Sequence, residues 1–203
     1  MNTLQQIRFV WKPLVFTICL LPALQAIGDT LGWTGDLGAN PVEALQDHFG
    51  NWGLRFIMIA LAVTPLRQLT GRNWLTRFRR MLGLFAFFYV LMHFLVWLVL
   101  DQSLRWSAIL EDIVERPFIT LGFAALLTLS AMAATSTAGM RRRLGRRWQQ
   151  LHYGVYLVGI LGVWHYWWQV KKDISGALIY AAILSVLLSY RLLRRWRKPH
   201  AGG

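Results

Sequence analysis

The chain has 203 residues, of which 56% are hydrophobic, and its formal net charge is +13. This composition excludes an intrinsically disordered chain and argues against an ordinary soluble domain. The charge alone would suit a nucleic-acid-binding protein. However, long apolar runs separate the basic clusters, which is the spacing expected when basic loops connect membrane spans. We therefore expect no nucleic-acid partner. A single cysteine, Cys19, excludes an intramolecular disulfide framework and a cysteine-based metal centre.

Six apolar segments are long enough to cross a bilayer core, which needs roughly 20 residues per helix. They are approximately residues 11–28, 52–69, 81–100, 117–136, 151–169 and 175–193. The first begins like a signal peptide but has no clean cleavage site after it, so we expect it to remain as a helix. The sequence therefore predicts an all-α integral membrane protein, a six-transmembrane-helix bundle in which residues 1–203 form a single domain.

Charged residues divide between the two ends of these predicted spans. Seventeen of the 22 basic residues lie at one end of the spans. They come before span one, between spans two and three, between spans four and five, and at or after the end of span six. All nine acidic residues fall in the alternate loops. Because cytoplasmic loops carry the excess of Lys and Arg, this distribution predicts that both termini are cytoplasmic.

Histidines within the predicted spans are the candidate functional residues, since ionisable side chains are costly there. His93 lies 12 residues into span three and His165 lies 14 residues into span five, whereas His48 is expected in the first outer loop. The helical rise puts the first two roughly 18 Å and 21 Å from the cytoplasmic boundary. Both spans run outward, so the two imidazoles share a layer and suit the axial positions of a haem. Zinc is disfavoured, because no third or fourth ligand is evident at that layer.

His152 lies at the cytoplasmic end of span five, 13 residues before His165, and Arg80 lies 13 residues before His93. On an ideal helix this step leaves two side chains about 140° apart, so an inner haem on His152 requires span five to bend or tilt. Arginine is a poor iron ligand, but Arg80 is a candidate contact for a haem propionate or a flavin phosphate. We expect one haem between His93 and His165, and the residues leave a second haem open.

Two stretches carry a family resemblance: RRMLGLFAFFYVLMHF at 79–94 and RRWQQLHYGVYLVGILGVWHYWW at 146–168. With the arginine-rich inner loops, they resemble the ferric-reductase-like transmembrane domain family, and within it the haem-binding membrane subunits of bacterial methionine-sulfoxide reductase systems. The resemblance implies a multi-pass b-type cytochrome of the bacterial inner membrane, with haem ligands at His93, His152 and His165. Arg80 stands where larger ferric reductases carry a fourth histidine. FMN is also implied, by resemblance only.

The same resemblance implies a partner on each side of the membrane. Electrons would pass to a periplasmic molybdopterin-containing catalytic subunit that repairs oxidised methionines in periplasmic proteins. The larger reductases append a flavin and nicotinamide domain, and about ten residues follow span six here, so we expect this chain to hold no such domain. We therefore expect a separate donor, either the quinone pool or a cytosolic flavin reductase, and a chain that transfers electrons rather than catalyses.

Two other functions remain open at this point. The first is a stand-alone transmembrane ferric or quinone reductase that delivers electrons at its outer face. The second is a non-redox membrane scaffold or transporter, in which the histidines only make hydrogen bonds between helices. The presence or absence of a haem separates this second alternative from the other functions.

Overall fold

A computed structural model describes residues 3–170 and 173–196. In these residues all regular structure is helical, as the sequence predicts. Five stretches are long and apolar enough to cross a membrane: Leu4–Thr30, Pro41–Thr70, Arg79–Asp101, Pro117–Ala134 and Ser175–Trp196. Two of the basic residues counted after span six, Arg197 and Lys198, lie outside the described residues.

The helices are labelled here in chain order. They are α1 (Thr3–Gln6), α2 (Lys12–Thr30), α3 (Pro41–Thr70), α4 (Arg79–Leu95), α5 (Trp106–Glu115), α6 (Pro117–Ala134), α7 (Ala138–Leu144), α8 (Arg146–His152), α9 (Gly154–Gln169) and α10 (Ser175–Trp196). A π-helical turn at Ile7–Trp11 joins α1 to α2, and another at Val96–Asp101 extends α4. A 3-10 turn at Asn73–Arg77 precedes α4.

The fifth predicted span, 151–169, is shorter in the structure than in the prediction. Its helix, α9, has 16 residues, which cover roughly 24 Å of a hydrocarbon core about 30 Å thick. The chain turns at Tyr153, between α8 and α9. At the next residue, Gly154, a Cβ would lie 2.9 Å from Cγ2 of Thr128, so α9 packs closely on α6 there. That α9 crosses the membrane stays a prediction.

Helix α3 begins at Pro41, well before the predicted start of span two at residue 52. The side-chain oxygen of Asn40 accepts the backbone N–H of Glu43 at 3.3 Å, and its amide group donates to the Glu43 carboxylate at 2.9 Å. Asn40 is therefore the N-cap of α3, and its side-chain contact with Glu43 holds it in place, so the helix starts in a polar stretch. The prediction that His48 lies in a loop is wrong: it is helical, and its Nε2 lies 2.8 Å from the carbonyl oxygen of Pro22.

The core of the bundle is formed by α3, α4, α6 and α9, with α2 and α10 packed against it. Tyr89 of α4 is fully buried and stacks on Phe56 of α3, with ring centroids 5.1 Å apart. Its hydroxyl donates to the carbonyl of Cys19 at 2.7 Å and accepts the N–H of Ala23 at 3.1 Å. In an uninterrupted helix these two backbone groups would bond to each other. The Tyr89 hydroxyl is thus inserted into α2 beside Pro22, and it fixes α2 to α4.

Candidate functional site

His93 of α4 and His165 of α9 face each other in the core. Their ring centroids lie 6.0 Å apart, and the ring planes meet at 81°. Both side chains are half-buried. The structure therefore brings together the two histidines that the helical rise places in one layer.

Each of the two imidazoles is oriented by a backbone carbonyl on the neighbouring helix. Nδ1 of His93 lies 2.9 Å from the carbonyl oxygen of Gln46, and Nδ1 of His165 lies 2.7 Å from that of Phe118. A carbonyl oxygen can only accept, so Nδ1 carries the hydrogen in both rings and Nε2 keeps its lone pair. Metal-ligating histidines are commonly held in this way, with the other ring N–H bonded to a carbonyl or carboxylate.

Two glycines make room for the imidazoles. A Cβ on Gly50 would lie 3.0 Å from Nδ1 of His93, and a Cβ on Gly122 would lie 3.0 Å from Nδ1 of His165. Any larger residue at either position would press against the ring. The absence of a side chain is therefore what lets each ring approach the helix that orients it.

The two helix pairs are built alike. In α3/α4 and in α6/α9 the glycine follows the accepting carbonyl by four residues, and the histidine follows the glycine by 43. Neither Gly50 nor Gly122 is among the site residues predicted from the sequence. The equal Gly-to-His spacing is the signal by which this repeat is visible in the sequence.

A cavity of about 1130 Å³ lies between these helices and is lined by both histidines. Usual small-molecule pockets measure roughly 300–1,000 Å³, so this one is large enough for a macrocyclic cofactor. Deep in the core its lining includes Leu129 and Val158, which are 3% and 0% exposed.

Charged residues line the opposite end of the cavity. They are Glu43, Asp47, Asp101, Arg116 and Asp173. The side chain and the backbone N–H of Ser175 hydrogen-bond to Asp173 and hold the pKa of its carboxyl below the usual range. Arg116, the cation of this group, pairs with Asp112 at 3.0 Å. The cavity thus has an apolar interior and a charged end.

The pair of histidines fits the axial positions of a haem. Two metal–imidazole bonds of about 2.0–2.1 Å on opposite sides of one metal put the ring centres roughly 6 Å apart. His93 and His165 have this separation. In the described parts of the chain, no group of three or more His, Cys, Asp or Glu side chains is placed to hold a metal ion. The pair therefore suits a metal that brings its remaining ligands with it, as haem iron does.

Comparison with known proteins agrees with this geometry. Residues 49–163 match the family described as "Ferric reductase like transmembrane component". A "Protein-methionine-sulfoxide reductase heme-binding subunit MsrQ" from Ralstonia nicotianae is 49% identical over 191 residues, 93% of this chain and 87% of the relative. The subunit of that name from Bordetella pertussis is 47% identical over 192 residues, 94% and 92% of the two chains. That from Xanthomonas euvesicatoria pv. vesicatoria is 51% identical over 170 residues, 84% and 77%. The chain belongs to the MsrQ family.

The ferric-reductase match of this MsrQ-family chain contains His93 and His152 but ends two residues before His165. His152 lies apart from the cavity lining. At the end of α8 its ring stacks on Trp148 with centroids 4.0 Å apart, and its Nε2 lies 3.3 Å from Oγ1 of Thr135. The structure therefore does not bring His152 to the other two histidines.

Arg80 is exposed and also lies outside the cavity lining. The residue next to it in the chain, Arg79, lies on another face of α4. A step of 14 residues returns to within about 40° of the starting direction, so Arg79 is the inner residue on the His93 side of α4. Sequence reasoning paired His152 with Arg80 because it matched residue spacing and not helical phase.

Proposed function

We propose that this chain is the haem-carrying electron-transfer subunit of a membrane-bound methionine-sulfoxide reductase. One b-type haem lies between His93 and His165, in the cavity shared by α3, α4, α6 and α9. The observation that carries this proposal is the 6.0 Å separation of two imidazoles whose Nδ1 atoms are both bonded to carbonyls. The names of the relatives, which describe heme-binding subunits, support it.

Six spans and cytoplasmic termini complete the proposal. With α9 as the fifth of the six spans, the arginine-rich segments around α7 and α8 lie on the same side as both termini, as expected for a bacterial inner-membrane protein. The histidine pair then lies in the outer half, with His93 roughly 12 Å from Asp101 along its helix. Electrons leave there for a periplasmic molybdopterin-containing subunit, and the acidic residues at that end are the proposed docking surface.

The donor side lies at the inner end of the bundle or within the membrane. FMN rests on the family resemblance, and Arg80 remains a candidate for its phosphate. Arg79 is a second candidate, because it begins α4 directly before Arg80 at the inner end of the bundle. Arginine binds a phosphate with paired N–H groups.

Spectroscopy of the purified protein tests the haem. We expect a sharp alpha band and a shifted Soret band after addition of dithionite. His93→Ala and His165→Ala should each abolish the low-spin spectrum, whereas His48→Ala, outside the cavity, should keep it. A wild-type protein without these bands would contradict the proposal and favour the non-redox alternative.

A second measurement separates the electron-transfer subunit from a stand-alone reductase. The reduced protein is mixed either with an added periplasmic methionine-sulfoxide reductase subunit or with ferric chelates. We expect reoxidation by the protein partner and not by the chelates. Rapid reoxidation by ferric chelates alone would favour the stand-alone reductase.

A further inference from the structure

A charged side chain lies near the middle of α3. Arg55 is the fifteenth of the 30 residues of this helix, and it is exposed on the surface of the bundle. Gly53 packs against Val90, which puts Arg55 near the middle of the 79–101 stretch as well. It lies roughly 7–8 Å inward of Gly50 and the histidine layer. An ionisable residue at such a depth is costly and is a functional candidate by default.

Arg55 has aromatic neighbours. Its Nε donates to the hydroxyl of Tyr180 at 3.2 Å, and its guanidinium carbon lies 4.6 Å from the ring centre of Trp52. The Tyr180 ring meets Tyr166 edge-on, with centroids 5.9 Å apart. Within the described residues, no carboxylate lies at ion-pair distance from Arg55. A guanidinium has five N–H donors, so most of those on Arg55 are left for an acceptor from outside the chain.

These contacts and this depth define the ligand. Phospholipid head groups lie at the membrane surface, so a molecule that reaches Arg55 is soluble in the hydrocarbon core. Its polar part carries oxygen atoms that accept hydrogen bonds from the guanidinium. A flat ring suits the neighbouring aromatic side chains, which favour stacked or edge-on partners. A quinone or quinol combines all three properties.

We propose that Arg55, Tyr180 and Trp52 form the head-group site of a lipid-soluble quinol that donates electrons to this subunit. The inference rests on the proposed function, because the electrons would be taken up by the haem that His93 and His165 would hold. Arg55 and Tyr180 hold the ring oxygens, and Trp52 lies against the ring. Tyr166 contacts Tyr180 and follows His165 directly in the chain. It therefore connects the site to a proposed iron ligand.

Oxidation of the hydroquinone breaks its two O–H bonds and gives the quinone, two electrons and two protons. The haem that His93 and His165 would hold would take up these electrons one at a time and pass each to the outer partner. The protons leave for the water at the outer end of the bundle. Tyr166 lies in that direction, since it lines the cavity together with Asp47 and Asp173.

Reduction kinetics of the haem-loaded full chain in lipid nanodiscs test the site, with decylubiquinol and menadiol as the probes. We expect Arg55→Gln to slow reduction by the quinols about tenfold, as for loss of a hydrogen bond from a charged donor. Tyr180→Phe should slow it several-fold. Dithionite should reduce both variants to the wild-type spectrum, because the haem is unchanged.

Two matched variants control for loss of charge and of hydroxyl. Arg67→Gln removes the same charge near the inner end of the same helix, and Tyr153→Phe removes the hydroxyl of an exposed tyrosine. Both should react at the wild-type rate. A uniform slowing in all four variants would mean a general effect on the bundle and would overturn the site.

The remaining outcomes separate this inference from the proposed function. A wild-type rate of reduction in Arg55→Gln overturns the site. A haem-loaded wild type that neither quinol reduces also overturns it, but reduction of that protein by a flavin donor would still support the proposed function. A wild type without haem contradicts the proposed function itself. Should Arg55→Gln fail to hold haem, Tyr180→Phe decides the question, because it keeps the aromatic ring and the arginine.

Discussion

The imidazole planes of His93 and His165 stand at 81° to each other, with the ring centroids 6.0 Å apart. Axial imidazoles that are nearly perpendicular leave the iron d orbitals that interact with them almost degenerate. We therefore expect the oxidised protein to give a highly anisotropic low-spin EPR signal at liquid-helium temperature. A rhombic low-spin signal, typical of parallel imidazole planes, would contradict this orientation of the two rings.

The glycines behind the imidazoles give a second prediction. In Gly50→Ala or Gly122→Ala the new Cβ would lie 3.0 Å from Nδ1 of the histidine, so the ring must move away from its carbonyl partner. A weaker Nδ1–H bond makes the histidine a poorer donor to ferric iron, which raises the midpoint potential. We expect a rise of some tens of millivolts in a redox titration, where about 59 mV corresponds to a tenfold change for one electron.

Gly83→Ala is the matched control for these two variants. Gly83 lies on α4 like His93, but a Cβ there meets no atom within 4 Å. The potential and the spectrum of Gly83→Ala should match those of the wild type. Equal shifts in all three variants would show that helix propensity, and not the position of the imidazoles, changes the potential.

His152 provides a third prediction, on the number of haems. Its ring stacks on Trp148 and its Nε2 lies near Oγ1 of Thr135, away from the cavity. We expect His152→Ala to keep the low-spin spectrum and the wild-type haem-to-protein ratio in a pyridine haemochrome assay. Loss of half of the haem would instead support an inner haem at His152, and loss of all of it would contradict the pairing of His93 with His165.

The layer of the histidine pair was predictable because it depends on few quantities. The two spans run in the same direction and the helical rise is constant, so counting residues to His93 and His165 gives their relative height. That the two rings also face each other depends on α4 and α9 both bordering one cavity, which counting residues does not reveal. The roles of the inner residues were harder to predict. Arg80 and His152 each lie 13 residues before the histidine on their own helix, but a step of 13 residues does not return to the same helical face.

The local supports of the site were not predictable from hydropathy. The polar stretch before residue 52 resembles a loop, yet the capping contacts between Asn40 and Glu43 begin α3 at Pro41. This longer helix carries Gly50 to the level of His93. The bend at Tyr153 has a different origin, because it accompanies the close packing of Gly154 on Thr128, a contact between helices that no local pattern records.

Tyr89 gives a fourth prediction, on stability. Its buried hydroxyl satisfies both the carbonyl of Cys19 and the N–H of Ala23, so Tyr89→Phe leaves two backbone groups of α2 without this partner. We expect a loss of about 1–3 kcal/mol in the free energy of unfolding, the usual cost of leaving buried polar groups unsatisfied. It should appear as a lower midpoint of thermal unfolding in detergent. Tyr153→Phe removes a hydroxyl that accepts from exposed Gln149, and it should change the midpoint little. Equal midpoints for the two variants would mean that α2 closes its own hydrogen bond beside Pro22 without help from α4.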